Sequence, residues 1–156
     1  MLRVALEHMV EGLESGAERS SLPVGSPLGG IEVDAEACTL CLGCVAVCPV
    51  NALEGDTQAF RLSLRESDCV QCGICETACP EKAITLVPRF LLDRSDRASR
   101  QVLHQDTPFC CIDCGTPFTT RTMIERLEEK LSGHRMFQGN ALKLLHRCED
   151  CRVKAV

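Results

Sequence analysis

Thirteen cysteines stand among 156 residues that include five Phe but no Trp or Tyr. The apolar fraction of 45% counts those cysteines, so a large hydrocarbon core is excluded, and so few rings argue against a base-stacking nucleic-acid platform. Two basic and four acidic side chains fall in residues 1–30, three and nine in 31–88, and twelve and nine in 89–156; the acidic centre repels nucleic-acid phosphates and suits a protein partner with a positive patch.

Residues 2–14 predict a short amphipathic helix, because Leu2, Leu6, Met9, Val10 and Leu13 recur at helical spacing, with Gly16 as its stop. Glu7, His8, Glu11 and Glu14 interrupt the apolar residues before an export segment or a membrane span could form. The expected setting is a reducing cytoplasm, where an odd number of cysteines serves metal ligation rather than disulfides. Residues 15–30, rich in Ser, Gly and Pro, read as a linker, so 1–30 is expected as an N-terminal helix and linker.

Residues 31–87 contain an internal repeat with an offset of 31. Cys38, Cys41, Cys44, Cys48 and Pro49 map onto Cys69, Cys72, Cys75, Cys79 and Pro80, and Val33, Ala52 and Leu53 map onto Leu64, Ala83 and Ile84. Residues 31–33, 60–64 and 83–87 are the strand candidates of a pseudo-twofold domain. Residues 88–107, with Arg89, Arg94, Arg97 and Arg100 set among Asp93 and Asp96, read as a solvated connector. In residues 108–156 the pairs Cys111/Cys114 and Cys148/Cys151 flank a helical stretch. Thr122 to Glu125 has the capping-box pattern, Met123, Ile124, Leu127 and Leu131 form its stripe, and Asn140 is the candidate cap of a second short helix.

Each half of the repeat is a C-x2-C-x2-C-x3-C-P run. Three cysteines at intervals of three let one loop wrap a cubane, while the fourth, expected at the start of a short helix, points to the other cube. The expected ligation is therefore crossed: Cys38, Cys41, Cys44 and Cys79 hold cluster A, and Cys69, Cys72, Cys75 and Cys48 hold cluster B. Pro49 and Pro80 stiffen the exits, and Gly43 and Gly73 are candidates for close backbone approach to sulfide. Zinc alone would leave the third cysteine of each run and the cross-pairing without a reason.

On the runs CTLCLGCVAVCP and CVQCGICETACP, residues 31–87 resemble the bacterial-type dicluster ferredoxins. That resemblance implies two short hairpins and two short helices around two 4Fe-4S clusters. It also implies low-potential one-electron transfer, rapid exchange between the clusters, and service as a diffusible carrier or as a wire in a larger oxidoreductase. A weaker similarity over residues 22–156, on LPVGSPLG, the two runs, PFCCIDCGTPF and CEDCR, links the chain to the carboxyl-terminal part of longer bacterial iron-sulfur binding proteins.

Cys111, Cys114, Cys148 and Cys151 are expected to bind one Zn2+, with Gly115 turning amides toward thiolate sulfur. A third iron-sulfur centre and a redox dithiol are the alternatives, Cys110 is expected as a buried free thiol with substitution for Cys111 as the alternative, and the four histidines are expected at the surface or in packing, His146 being the best spare ligand. No Ser-His-Asp order, phosphate loop or HExxH run appears, so no catalytic residue and no enzyme are expected.

The fold class is thus α+β: a ferredoxin-like dicluster domain over 31–87 and a small helical four-cysteine module over 108–156. The expected function is one-electron transfer through two 4Fe-4S clusters, as a subunit or dedicated carrier of a larger oxidoreductase system. The partner is a protein, with no nucleic acid, membrane span or small-molecule substrate. The alternative is an assembly or interaction module in which the metals are structural pins.

Overall fold

A computed structural model describes residues 4–5, 19–137 and 139–154, so the helix expected over 2–14 lies outside the described residues except for Val4 and Ala5. The fold is mixed α and β. Strands β1 (Arg19–Ser21), β2 (Gly29–Val33) and β5 (Ile84–Leu91) form one antiparallel sheet in the order β1-β5-β2. Strands β3 (Leu53–Asp56), β4 (Arg61–Arg65) and β6 (Arg100–Gln105) form a second in the order β3-β4-β6, and β7 (Pro108–Cys110) pairs with β8 (Pro117–Thr120) in a third. The helices are α1 (Gly43–Ala46), α2 (Ile74–Ala78), α3 (Arg94–Ala98), α4 (Arg121–Leu131) and α5 (Glu149–Lys154).

The 31-residue repeat is written into the strand pairing. Val33 of β2 lies opposite Ile84 of β5, and Leu64 of β4 lies opposite Leu53 of β3. Since Val33 maps onto Leu64 and Leu53 onto Ile84, each half lends its first strand to the second strand of the other. Backbone conformation follows the same offset: Leu40 and Gln71 share φ 53°, Asn51 and Lys82 share φ 52°, and Leu42 (57°) matches Gly73 (75°). Left-handed backbone costs an L-residue roughly 1–2 kcal/mol, so the cysteine loops are shaped against local preference and held by their surroundings.

One exchange breaks the symmetry. Leu42 reaches over β3 so closely that a Cβ on Gly55 would stand 2.7 Å from its Cδ1. In the other half the bulk has moved: Gly73 occupies the Leu42 position and Leu86 the Gly55 position, 3.5 Å from a notional Gly73 Cβ. Gly43 is an ordinary helical residue outside the left-handed set, so of the two glycines singled out in the motifs only Gly73 supplies special backbone freedom.

Ile31, Ala52, Leu53, Leu62, Leu64, Ile84 and Cys44 form the core, with Cys48, Cys69, Cys75 and Cys79 packed against it. The core is as small as the composition requires, and cysteine completes it. Ser63, alternating in the sequence as an outward residue, is buried because β6 covers that edge, and its hydroxyl donates to the Glu54 carbonyl at 3.4 Å.

Several local expectations are corrected. The linker reading of 15–30 gives way at 19–21 and 29–30 to strands that pair with the two edges of β5 through backbone hydrogen bonds. Residues 88–107 are not a solvated loop: β5 runs on to Leu91, α3 follows, and β6 pairs with β4. Three of the four arginines there turn inward, and Arg94 is exposed. Arg89 forks onto Glu66, Arg97 donates to the Leu91 and Leu92 carbonyls over the Phe90 ring, and Arg100 reaches Glu54 and the Ala52 carbonyl. Pairing lets a long cationic side chain be buried, and a charge count does not show it. Helix α4 is capped by Thr120, whose Oγ1 accepts from the Met123 amide, two residues before the expected Thr122. The second tail helix is a 3-10 segment, Gly139–His146, which already begins at Gly139.

Candidate metal centres

The second cysteine run enters α2 and leaves by its far end. Cys75 lies in the first turn, and Cys79 is the C-cap; likewise Cys44 lies in α1 and Cys48 just follows it. The fourth cysteine of each run thus sits at the end of its helix, not at the start. Residues four apart would share one face of a continuing helix, but Cys79 already has extended backbone (φ −73°, ψ 114°), so the chain turns away from the helix at the fourth sulfur.

A void of about 360 Å³, counting space open to solvent, is bounded by Cys48, Cys69, Cys72 and Cys75 together with Ile31, Pro49, Val50, Ala52, Leu53, Leu64, Val70, Gly73 and Leu86. Three of those cysteines come from the second run and Cys48 from the first. The hydrocarbon lining suits a group that completes its coordination with thiolates and gains nothing from water. A cubane thus fits this void by donor set and by lining.

The other four sulfurs are also near one another. Burial pushes the Cys38 thiol up, the Leu40 amide opposes this, and the nearby Cys79, Cys41 and Asp106 push it further up. Burial likewise raises Cys44 to about 12, reinforced by Cys38, Cys41 and Cys75, and raises Cys75 to about 11, with Cys69, Cys72 and Cys48 adding and the Glu76 amide opposing. The neighbours felt by Cys38 and Cys75 each include the fourth cysteine of the opposite run. Thiols raised in this way keep their protons near neutral pH until a metal displaces them. The Ala83 amide donates to Cys79 Sγ at 3.3 Å and Gln71 Nε2 to Cys69 Sγ at 3.6 Å, so donors already face two of the sulfurs.

The third group is of another size. The ligand atoms of Cys111, Cys114, Cys148 and Cys151 all lie within 4.8 Å of one another, and among the described residues no other group of three or more His, Cys, Asp or Glu converges so closely. Cys114 Sγ and Cys148 Sγ are 3.7 Å apart. Four sulfurs about 2.3 Å from one tetrahedral ion stand about 3.8 Å apart, so a single ion fits, whereas a cubane between them would force them outward. The β7–β8 hairpin supplies the first pair at its tip, where Gly115 (φ 74°) donates to the Cys111 carbonyl at 2.9 Å. Helix α5 begins between Cys148 and Cys151. The Ile112 amide donates to the His146 carbonyl, and Arg147 Nε donates to Asp113 at 2.6 Å, tying the two pairs together. Burial raises Cys111, but amides of Cys114, Cys148 and Asp113 outweigh it and bring the thiol down to about 6; the Thr116 hydroxyl and amide lower Cys114.

One side expectation changes here and one holds. Cys110 is exposed on β7, outside the four-sulfur group, because the strand alternates and turns Cys111 inward. His146 is no ligand: its Nε2 is 2.7 Å from Glu128 Oε1 and its ring lies 5.3 Å from that of Phe109.

The tail rests on the first cysteine loop and touches the exit of the second run. Thr120 Oγ1 donates to the Thr39 carbonyl at 2.9 Å, both residues being buried, and Lys130 pairs with Glu81. Phe118, Thr119 and Met123 face Leu40, Cys41 and Leu42 across a shallow groove. Asp106 accepts from the Thr107 and Thr122 amides beside this contact. Neither Thr120 nor Asp106 stands out in the sequence, since threonines also occupy 119 and 122 and nothing local selects the one that reaches residue 39.

Comparison with known proteins agrees with the central region. Residues 37–83 match the 4Fe-4S dicluster domain family. The chain is 41% identical over 56 residues to the archaeal-type glutamate synthase [NADPH] of Thermotoga maritima, covering 36% of this chain and 11% of that protein. It is 38% identical over 88 residues to the polyferredoxin-like subunit of the aliphatic sulfonate oxidoreductase of Pyrococcus furiosus, covering 55% and 46%. It is 40% identical over 52 residues to Ferredoxin-1 of Caulobacter vibrioides, covering 31% and 43%. The chain therefore spans about half or less of each of these proteins. It carries a ferredoxin-like iron-sulfur domain and a distinct four-cysteine metal-binding cluster. Among the described residues no helix is long and apolar enough to cross a membrane.

Proposed function

We propose that the chain transfers single electrons through two 4Fe-4S clusters within a larger oxidoreductase system, with residues 31–87 as the conducting unit and 108–156 as a zinc-pinned cover. The observation that carries this reading is the apolar void that gathers Cys48 with Cys69, Cys72 and Cys75. When bound, each cluster supplies a one-electron couple with every iron already ligated by protein.

The chain's own residues do the rest. Ile31, Leu53, Leu64 and Leu86 exclude water from one site, which limits reorganisation and disfavours added charge. Amide donors from Leu40, Val45, Glu76 and Ala83 aim at ligand sulfurs and stabilise the electron-rich state. Cys44 feels the charge of Cys75, which supports two adjoining sites, as transfer within one small domain requires. Val50, Val70 and Ile74 are 38%, 40% and 44% exposed around the second run, offering a protein partner an apolar approach to cluster B. In the tail, a closed four-thiolate site leaves no open coordination position and contributes folding free energy to a segment poor in apolar side chains.

Anaerobic preparation of Cys48→Ser tests the reading. Loss of cluster B, with iron falling from about eight to about four per chain and cluster A retained, is the expected result. Cluster B left intact in that variant, or native protein with no one-electron reduction by dithionite, overturns it.

A further inference from the structure

One peptide unit in the first cysteine loop is held from both ends. Its carbonyl, on Thr39, accepts a hydrogen bond from Thr120 Oγ1 at 2.9 Å, and its amide, on Leu40, donates to the Cys38 sulfur. Leu40 is left-handed at φ 53°, a conformation an unbranched loop would leave readily, and Thr39 is 4% exposed and Thr120 3%. A donor placed on a peptide carbonyl polarises that peptide and strengthens its N–H as a donor, by roughly 10–30% per bond. The same hydroxyl oxygen accepts from the Met123 amide at 3.2 Å, so its proton is left to point at Thr39. The chain Met123 N–H, Thr120 O–H, Thr39–Leu40 peptide, Cys38 sulfur runs in one sense from the tail module to a cluster A ligand. Residue 70, the repeat partner of Thr39, is a valine 40% exposed.

We propose that Thr120 is a positioning residue for cluster A: its hydroxyl fixes and polarises the Thr39–Leu40 peptide so that the Leu40 amide stabilises the reduced cluster, raising the potential of A relative to B. This rests on the two-cluster reading above. It gives the tail module a role in electron transfer that metal content alone would not reveal, because the module's fold holds Thr120 in place.

The test compares Thr120→Val, which removes the hydroxyl at nearly constant shape, with Thr120→Ser, which keeps it, in the full chain prepared anaerobically. Each cluster is followed by spectroelectrochemical titration, with the cysteine Hβ resonances of Cys38 and Cys69 in paramagnetic NMR assigning the couples. In Thr120→Val the ratio of reduced to oxidised cluster A at a fixed electrode potential is expected to fall by at least about twofold, with cluster B unmoved and Ser restoring the native value. Thr119→Val, which removes the neighbouring hydroxyl and leaves the Thr120–Thr39 bond in place, is the control and is expected to leave both couples where they were. Unchanged cluster A in Thr120→Val, or an equal shift in Thr119→Val, overturns the proposal while leaving the two-cluster reading intact. Absence of either cluster from the native protein would instead count against that reading.

Discussion

The two cysteine loops are near copies in sequence and backbone, yet they are held in opposite ways. The second is braced from within its own domain. Glu66, three residues before Cys69, accepts a fork of hydrogen bonds from Arg89 of β5 at 2.8–3.3 Å, with the two side chains 5% and 13% exposed. The position equivalent to Glu66 in the first half is Ala35, so that loop has no such brace. It has the Asp34 side chain, which accepts from the Glu36 and Ala37 amides, and then the tail, through Thr120 and the Phe118–Met123 surface. A duplicated domain has thus diverged in what supports each half: one keeps an internal ion pair, and the other depends on a metal-pinned appendage.

The largest expected effect comes from unpinning that appendage. Cys148→Ser should release the bound metal and unfold much of residues 108–154, since a structural zinc, the ion proposed for this site, supplies on the order of 10 kcal/mol to small sites. In anaerobic protein, amide exchange should then rise in the first loop around Thr39 and Leu40 but not in the second around Val70 and Gln71. Equal protection of both loops would erase the contrast between them.

Glu66→Gln makes the reverse cut. Arg89 would keep its charge with only the exposed Glu32 carboxylate, 3.8 Å away, beside it, which costs roughly 1–3 kcal/mol. Denaturant unfolding should show that loss, and cluster B should be released before cluster A on mild heating. Release of A first would mean that the ion pair does not act on the second loop in particular.

Gly73→Ala is a smaller perturbation. There is room for the methyl group, 3.5 Å from Leu86, but φ of 75° penalises any L-residue, so a loss of about 1 kcal/mol is expected in the same unfolding experiment. A neutral result would show that the loop can change conformation, as the left-handed Leu42 in the other half does not. Smallest is Asp106→Asn. The Asp106 carboxylate lies close enough to Cys38 to raise that thiol, so removing its charge should favour added electrons and lift the potential of cluster A slightly, with B unchanged, in a redox titration.

Most of the centre was legible because ligand chemistry imposes it. Spacing of three between cysteines, a proline after the fourth and an offset of 31 specify the loops, and the same offset recurs in strand pairing and in left-handed residues that no propensity scale would place there. The four tail cysteines were equally plain, and they do converge. What was illegible is whatever depends on tertiary partners. β6 has no clear alternation because it serves as an edge for β4, and Arg97 reads as a surface charge until the Leu91 and Leu92 carbonyls are seen around it. Among Thr119, Thr120 and Thr122, only the fold decides which caps α4 and reaches the first loop.

The presence of two cubanes beside one mononuclear site is tested most directly by native mass spectrometry with metal and acid-labile sulfide analysis of anaerobically purified protein. Eight iron, eight sulfide and one zinc per chain are expected, on the basis of about four iron per cubane and one ion per four-thiolate site. Twelve iron with no zinc would contradict the mononuclear tail site, and a folded centre without iron or sulfide would contradict the clusters themselves.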